Sequence, residues 1–519
     1  MARILVTEKI ADSGLERLRA AGHEVDVQQG LDPEALLEAV RGAHALIIRS
    51  ATTVTSDVLA AGRDLVVVGR AGIGLDNVDV DAATAQGVMV VNAPQSNILT
   101  TAEHTMAMLL AQARNIPQAH AALVAGRWER SQWEGVELAD KTLGIVGLGR
   151  IGKLVAQRAL AFGMRVVAHD PFVAPDRARQ INVELLELDE LVATADFLTL
   201  HVVKTPETLG MIGADLLAKA KPTLRIVNVS RGGVVDEVAL ADAIREGRVA
   251  GAALDVFATE PTTQSPLFDL PQVVVTPHLG ASTAEAQDKA GDTIAEQVEL
   301  ALAGEFVPFA VNVAAAEAST TVRPFLPLAE RLGELYASLA AGVPNTLEVR
   351  YEGQLAEADN RILTLSVLKG VFGKVSEEPV SYVNAPRLAA ERGVEVEESS
   401  SPLSHDYVNL VSIRGGEHAI GGTLVGLRAE PRIVMVDDHS VDLPPAEHML
   451  VVRNDDVPGM IAAVTGELGR AGLNIDDMHL GRSPAGAAAL MILATATEVP
   501  DDVQASIRAL PGVVSVAAL

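Results

Sequence analysis

Three charged side chains sit in otherwise apolar and small-residue surroundings. Arg231 lies in VNVSRGG (227–233), Glu260 in LDVFATEP (254–261) and His278 in VTPHLGA (275–281). A cation, an acid and an imidazole can together hold a carboxylate, tune a base and move a proton. Each follows a short β-type run, which predicts a place at a strand's carboxyl end. In an open α/β sheet that edge is where ligands bind. One such residue alone would read as a surface group or a helix cap. Three, in this order and these flanks, point to a reaction centre.

The elements that must position them alternate in type. Strand signals at 4–7, 45–49, 65–69 and 88–92, with helices at 13–21 and 80–86, predict a parallel sheet with covering helices. Thr100, with Glu103 three residues on, has the capping-box pattern and predicts one long helix from 100 to about 126 that crosses between two domains. A second α/β unit follows, with strands at 142–147, 165–170, 197–202, 225–229, 251–256 and 272–276 and a helix at 150–162. A helix over 282–303 is expected to return to the first unit. Beyond 313 the signals are mixed, with 361–369 strand-like and 385–392 helical, and no chemical motif appears. The last stretch reads as strand 449–453, helix 458–471, strands 475–480 and 489–495, helix 500–509 and strand 513–516. That βαββαβ order is ferredoxin-like.

The chain's 519 residues suggest three or four domains. A net charge of −27 argues against nucleic acid or an anionic membrane as partner, because both require a basic face. Any site for an anionic substrate must then build a local positive patch, so clustered arginines become informative. There is no cysteine, hence no disulfide, thiol nucleophile or thiolate metal site, and no metal is expected. The amino terminus runs into a strand without a signal-peptide core, and no apolar run is long enough to span a bilayer. A cytoplasmic location is the expectation.

GLGRIG (147–152) matches G-x-G-x-x-G. Alone it would describe any glycine-rich turn, but a strand precedes it, a helix follows, and Asp170 ends the next strand. In that context Gly147 permits the tight turn, Gly149 lets the backbone approach a pyrophosphate, and Gly152 lets helix and strand pack closely, with Arg150 and Ile151 opening the helix. Asp170 would accept from the adenosine ribose hydroxyls and repel a 2′-phosphate, which favours NAD over NADP.

These stretches, with GRAGIGLDNVD (69–79), resemble the D-isomer-specific 2-hydroxyacid dehydrogenases over essentially the whole chain, and within them the long branch acting on 3-phosphoglycerate. The resemblance implies NAD-dependent oxidation of that substrate at C2 to 3-phosphohydroxypyruvate, the first step of L-serine biosynthesis. It implies that Arg231 clamps the substrate carboxylate and C2 oxygen, that His278 takes the hydroxyl proton, and that Glu260 orients His278 and raises its pKa. Asp255 and Gly280 would lie near the nicotinamide. Val229 stands where some relatives have cysteine, so any cofactor contact there must be apolar or through its backbone. The substrate phosphate needs cations, and Arg49, Arg70 and Arg130 are the candidates. Arg130, with Arg127 as the competing assignment, resembles an arginine that reaches in from a neighbouring subunit. Structural salt bridges are the alternative for all of them.

The expected fold class is α/β: two Rossmann- or flavodoxin-like parallel-sheet lobes, an α+β intervening domain and a βαββαβ ferredoxin-like ACT domain. The expected boundaries are a substrate lobe at 1–98 completed by 283–312, an NAD-binding domain at 99–282, an intervening effector or assembly domain at 313–444 and the ACT domain at 445–519. The stretch 448–480 carries the ACT resemblance, which implies an L-serine site across the interface of a homo-oligomer, a dimer or tetramer. Asn454, Asp456 and Asn474 would hold the amino-acid groups. A helix cap at Asp456 and a turn at Asn474 are the plainer readings. Two other functions fit less well. Another 2-hydroxyacid dehydrogenase, for instance one reducing 2-oxoglutarate, would not need the arginines, and a non-catalytic NAD-sensing protein would show an eroded triad.

Overall fold

The computed structural model describes residues 1–313, 319–376, 380–404, 406–437, 439–482 and 489–519. Four sheets follow one another along the chain. The first has five parallel strands in the spatial order Glu24–Val27, Arg3–Val6, Ala45–Ile48, Val67–Arg70 and Met89–Asn92, a flavodoxin-like order. Apart from the edge strand Glu24–Val27, its strands are mostly apolar and buried because helices cover both faces. The helix Ala284–Leu302 returns from beyond the second sheet and supplies Ala290, Ile294, Ala295 and Val298 to this core.

The second sheet has seven parallel strands in the order Val273–Val275, Gly251–Leu254, Arg225–Asn228, Phe197–Leu200, Thr142–Val146, Arg165–His169 and Glu184–Leu185. The register sets Asn228 beside Leu254 and Leu254 beside Val275. Three neighbouring strands therefore end level, and their next residues lead to Arg231, Asp255 and His278. Strand order reverses at Thr142–Val146, which opens the crevice where this fold takes ligands.

The third sheet is mixed. Thr346–Gly353 pairs in parallel with Glu395–Ser401, and the remaining pairs are antiparallel out to His439–Leu443. The fourth has the order Ile475–Arg482, Ala489–Thr495, His448–Asn454 and Val513–Ala518, with helices Met460–Arg470 and Asp501–Arg508, the ferredoxin-like arrangement.

Two expectations fail. Residues 361–369, read as a strand, lie in the helix Arg361–Val375. Ile362 to Leu368 are all buried, so this helix has no polar face there to give it a helical period. The single crossing helix is instead two, Ile98–Ala113 and Ile116–Val124, broken at Asn115, whose φ of 52° is left-handed. Pro117, in the second helix's first turn, has no N–H to continue the first. Thr100 does not cap. It lies inside the first helix, which opens after Asn97.

Candidate active site

His278 and Glu260 meet, with Nδ1 to Oε2 at 2.6 Å. The second Glu260 oxygen accepts from the Phe257 backbone N–H at 2.8 Å, which fixes the carboxylate. The hydrogen bond to Glu260 raises the His278 pKa, with the Asp255 charge helping and burial and Arg231 opposing. Burial pushes the Glu260 carboxyl up, but its bonds to His278 and Phe257 outweigh that and hold it below the usual range. With Nδ1 committed, Nε2 is the imidazole atom left to exchange a proton.

His278 itself has φ 55°, a left-handed backbone that disfavours any side chain beyond Cα. Asp255 holds it there. The Asp255 carbonyl accepts from His278 N–H at 2.8 Å, and its carboxylate from the N–H groups of Leu279 and Gly280 at 2.7 and 2.8 Å. Thr276 adds its hydroxyl at 2.6 Å. The carboxylate is 0% exposed, so burial drives its pKa up, yet bonds from His104, Thr276 and Leu279 bring it below the ordinary value. Asp255 thus stays ionised and presents the catalytic loop, a role beyond the nicotinamide contact expected of it.

Arg231 is drawn towards the first lobe. Its Nε donates to Asp76 Oδ2 at 3.1 Å and its Nη1 to Ser230 O at 2.8 Å, leaving Nη2 without a hydrogen bond among the described residues. A Cβ at Gly74 would stand 2.3 Å from that Nη2, so the guanidinium would have to move aside for any other residue there. Val229 is buried, and its Cγ1 would lie 3.1 Å from a Cβ on Gly280.

A cleft of about 520 Å³ is lined by His278, Glu260, Arg49, Arg70, Ser96 and Asn97 among others. Arg49 directly follows the strand Ala45–Ile48, whose Ile48 pairs with Arg70 on the next strand, and Arg70 Nε is buried with no hydrogen-bond partner among the described residues. Burial, with Arg231 and Arg49 beside it, pulls the Arg70 guanidinium down to about 10, against the pull of Asp76 and Glu8. A half-buried cation kept short of partners is suited to a multivalent anion. The loop bearing Arg49 is itself latched, since Glu8 accepts the N–H groups of Arg49, Ala51 and Thr52 and Asn77 donates to Arg49 O and Thr52 O.

The glycine loop fits a dinucleotide. Gly147 has φ 94°, and a Cβ there would lie 2.4 Å from His201 O. A Cβ on Gly152 would lie 2.2 Å from Gly147 O, whereas at Gly149 nothing stands within 4 Å. The helix Arg150–Ala161 has no side-chain cap, so its first N–H groups stay available to an anion, with Arg150 exposed and Ile151 half-buried beside them. Asp170 accepts from Leu148 N–H and Phe172 N–H at 2.8 and 2.9 Å, which sets its carboxylate against this loop.

Comparison with known proteins agrees with that geometry. Residues 106–280 match the NAD-binding domain of the D-isomer-specific 2-hydroxyacid dehydrogenases, 321–437 the D-3-phosphoglycerate dehydrogenase intervening domain and 448–512 the ACT domain. D-3-phosphoglycerate dehydrogenase of Mycobacterium leprae is 51% identical over 98% of this chain and 97% of its own length. The chain belongs to the D-3-phosphoglycerate dehydrogenase family. The enzyme of that name from Methanocaldococcus jannaschii is 40% identical over 100% of both chains. Among solved structures, a Thermus thermophilus protein aligns at TM-score 0.56 and 37% identity, over 60% of this chain and 99% of that one. A Staphylococcus aureus NAD-dependent formate dehydrogenase in complex with NAD aligns at TM-score 0.54 and 29% identity, over 59% and 97%.

Within this family member some expected residues stay apart. Arg130 is exposed and does not line the cleft, and Arg127 pairs with Glu129 at 3.1 Å. In the ACT region Asn454 is 3% exposed, its amide donating to Asp455 O while Oδ1 has no hydrogen-bond partner among the described residues. Asp456 and Asn474 are exposed, and Asn474 donates to Asp476 at 3.1 Å. Asn454 pairs with Ala489, whereas Ile475 and His448 both pair with Thr495. Asn454 and Asn474 are therefore at opposite ends of the sheet, about 20 Å apart along six residues of strand. One chain cannot bring them to one ligand. Nor does Asp456 cap the following helix, whose N-cap is Gly459.

Four residues that build the site do not stand out in the sequence as site residues: Glu8, Asp76, Asn97 and His104. Asn97 lines the cleft with an unpaired, buried Oδ1. Only Asp76 had a local signal, within the 69–79 stretch.

Proposed function

We propose that this chain is the NAD-dependent dehydrogenase that oxidises D-3-phosphoglycerate to 3-phosphohydroxypyruvate, the first step of L-serine biosynthesis. The observation that carries the reading is one cleft holding both the His278–Glu260 pair and the half-buried, partner-poor Arg70. It joins a proton acceptor to a phosphate-sized positive patch in a protein of overall charge −27.

In this reading Arg49 and Arg70 hold the phosphate and Arg231 Nη2 holds the carboxylate and C2 oxygen. The C2 hydroxyl then faces His278 Nε2. Its O–H proton passes to Nε2 as the C2–O single bond becomes a carbonyl and the C2–H bond breaks. Bound NAD supplies the acceptor of that hydride. Glu260 stabilises the imidazolium that results, and Asp255 keeps the loop in place. Gly147, Gly149 and Gly152, with the Arg150 and Ile151 N–H groups, would hold the cofactor's pyrophosphate and Asp170 its ribose, while Val229, Asp255 and Gly280 are the candidates for its nicotinamide end.

The same proposal divides the chain into a substrate lobe at 1–98 with 283–312, an NAD domain at 99–282, an intervening domain at 313–444 and a regulatory ACT domain at 445–519. It makes the enzyme a cytoplasmic homo-oligomer, in which Arg130 acts on a neighbour's cleft and L-serine binds between ACT domains at Asn454, Asp456 and Asn474 of different chains. The apolar, 81% exposed Trp128 beside exposed Ile116, Leu123 and Val124 supports a covered face there. No helix among the described residues is long and apolar enough to cross a membrane.

The test is NADH formation from 3-phosphoglycerate, D-lactate and D-2-hydroxyglutarate, with wild type and His278→Ala. Preference for 3-phosphoglycerate, lost in the variant, is the expected result. No preference over D-lactate would overturn the substrate, and full activity in His278→Ala would overturn the mechanism.

A further inference from the structure

The helix Ile98–Ala113 lies along the loop that carries His278, and three of its side chains reach that loop or its base. Thr101 donates to Gly280 O at 3.1 Å, Thr100 lies 3.4 Å from Thr283, and His104 Nε2 lies 3.3 Å from both Thr276 Oγ1 and Asp255 Oδ1. Positions 100, 101 and 104 are three and four apart, so they share a face of the helix.

Hydrogen counting fixes the direction of the His104 contact. Thr276 gives its hydroxyl hydrogen to Asp255 Oδ1 at 2.6 Å, and an ionised carboxylate only accepts. The ring nitrogen facing both oxygens must therefore carry the hydrogen. Asp255 in turn holds Leu279 and Gly280 through its carboxylate and His278 through its carbonyl. A non-glycine residue at φ 55° persists only where its surroundings over-determine it. Here that constraint converges on one residue, Asp255, and His104 is the only side-chain partner of its carboxylate outside the strand and loop among the described residues.

We propose that His104 is a positioning residue for the reaction: its Nε2–H fixes the Asp255 carboxylate, which fixes the strained backbone from which His278 projects. His104 does not line the cleft, so it acts through Asp255 and Thr276 rather than on the substrate. The inference rests on His278 being the base.

The experiment compares full-length His104→Leu, His104→Asn and His104→Gln with wild type and His278→Ala. Leucine has no donor and the asparagine amide stops short of Asp255, while the glutamine amide takes the place of Nε2–H. We expect kcat to fall about 10- to 100-fold in His104→Leu, as for misplacement of a reacting group. NADH affinity should stay within about twofold, and His104→Gln should recover most of kcat. His104→Asn repeats the loss if the leucine variant does not accumulate. Wild-type kcat in the leucine or asparagine variant overturns the proposal. So does a glutamine variant that melts like wild type yet is as slow as asparagine, since the imidazole itself would then be required. Activity in His278→Ala would overturn the base assignment instead, whatever the His104 variants do.

Discussion

Replacing Arg70 by methionine should make the ligand-free protein more stable and the enzyme worse. Burial lowers the guanidinium from 12.5 to about 10, and its Nε has no partner. At about 1.4 kcal/mol per pH unit, holding that charge costs the fold up to about 3.5 kcal/mol. The sign is that of a depressed base: the cost is present in full below about pH 10 and fades above it. Methionine keeps most of the apolar stem, so part of this should return as stability, roughly 1–2 kcal/mol after lost packing. For a lobe of this size that raises the unfolding midpoint by about 2–8 °C. Binding moves the other way. Loss of charged hydrogen bonds to a phosphate, about 1.5–3 kcal/mol, lowers kcat/KM for 3-phosphoglycerate about 10- to 150-fold. D-lactate, which has no phosphate, should be nearly unaffected. Calorimetry and steady-state NADH formation read the two arms, and added inorganic phosphate should stabilise wild type more than the variant. A lower midpoint, or equal losses on both substrates, refutes the reasoning.

Glu260→Gln removes the charge that raises the His278 pKa, so the acid limb of kcat/KM for oxidation should move to lower pH. A pH–rate profile with an unmoved limb would remove Glu260 from that role. Gly149→Ala adds a Cβ where nothing lies within 4 Å, so calorimetry should show an unchanged midpoint while fluorescence titration shows NADH binding weakened about tenfold. Gly152→Ala should instead lower the midpoint, because its Cβ would meet Gly147 O at 2.2 Å. Asp255→Asn leaves a buried amide facing the Leu279 and Gly280 N–H groups, and kcat should fall with little change in NADH affinity.

The reaction centre was legible because its parts sit at strand ends. A β-run followed by a charged residue locates that residue on the sheet's edge, and parallel register brings neighbouring ends level, as at Asn228, Leu254 and Val275. The glycine fingerprint was legible for a similar reason, since each glycine answers a local steric need. What holds the centre was not. The family resemblance puts Asp255 near the cofactor, but its hydrogen bonds to the 276–280 loop depend on backbone geometry that no spacing reveals. His104 lies 151 positions before Asp255 in the chain and meets it only through the packing of a helix on the sheet. Residues 361–369 misled because a helix buried all round has the same apolar run as a buried strand. Arg130 and the ACT asparagines were placed by analogy with assemblies, and a single chain does not bring them together.

The helix Ala284–Leu302 has a consequence for synthesis. It completes the core of a lobe whose last strand ends at Asn92, about 200 residues earlier. At about 5–20 residues per second, a ribosome would leave Ile4, Val67 and Val91 without their covering helix for roughly 10–40 s. During that interval the second sheet can close on itself while the first holds an apolar face open to whatever is nearby. The nascent chain therefore finishes its second lobe before its first. A chain released short of residue 302 would keep a formed nucleotide fold attached to a half-built, adhesive one.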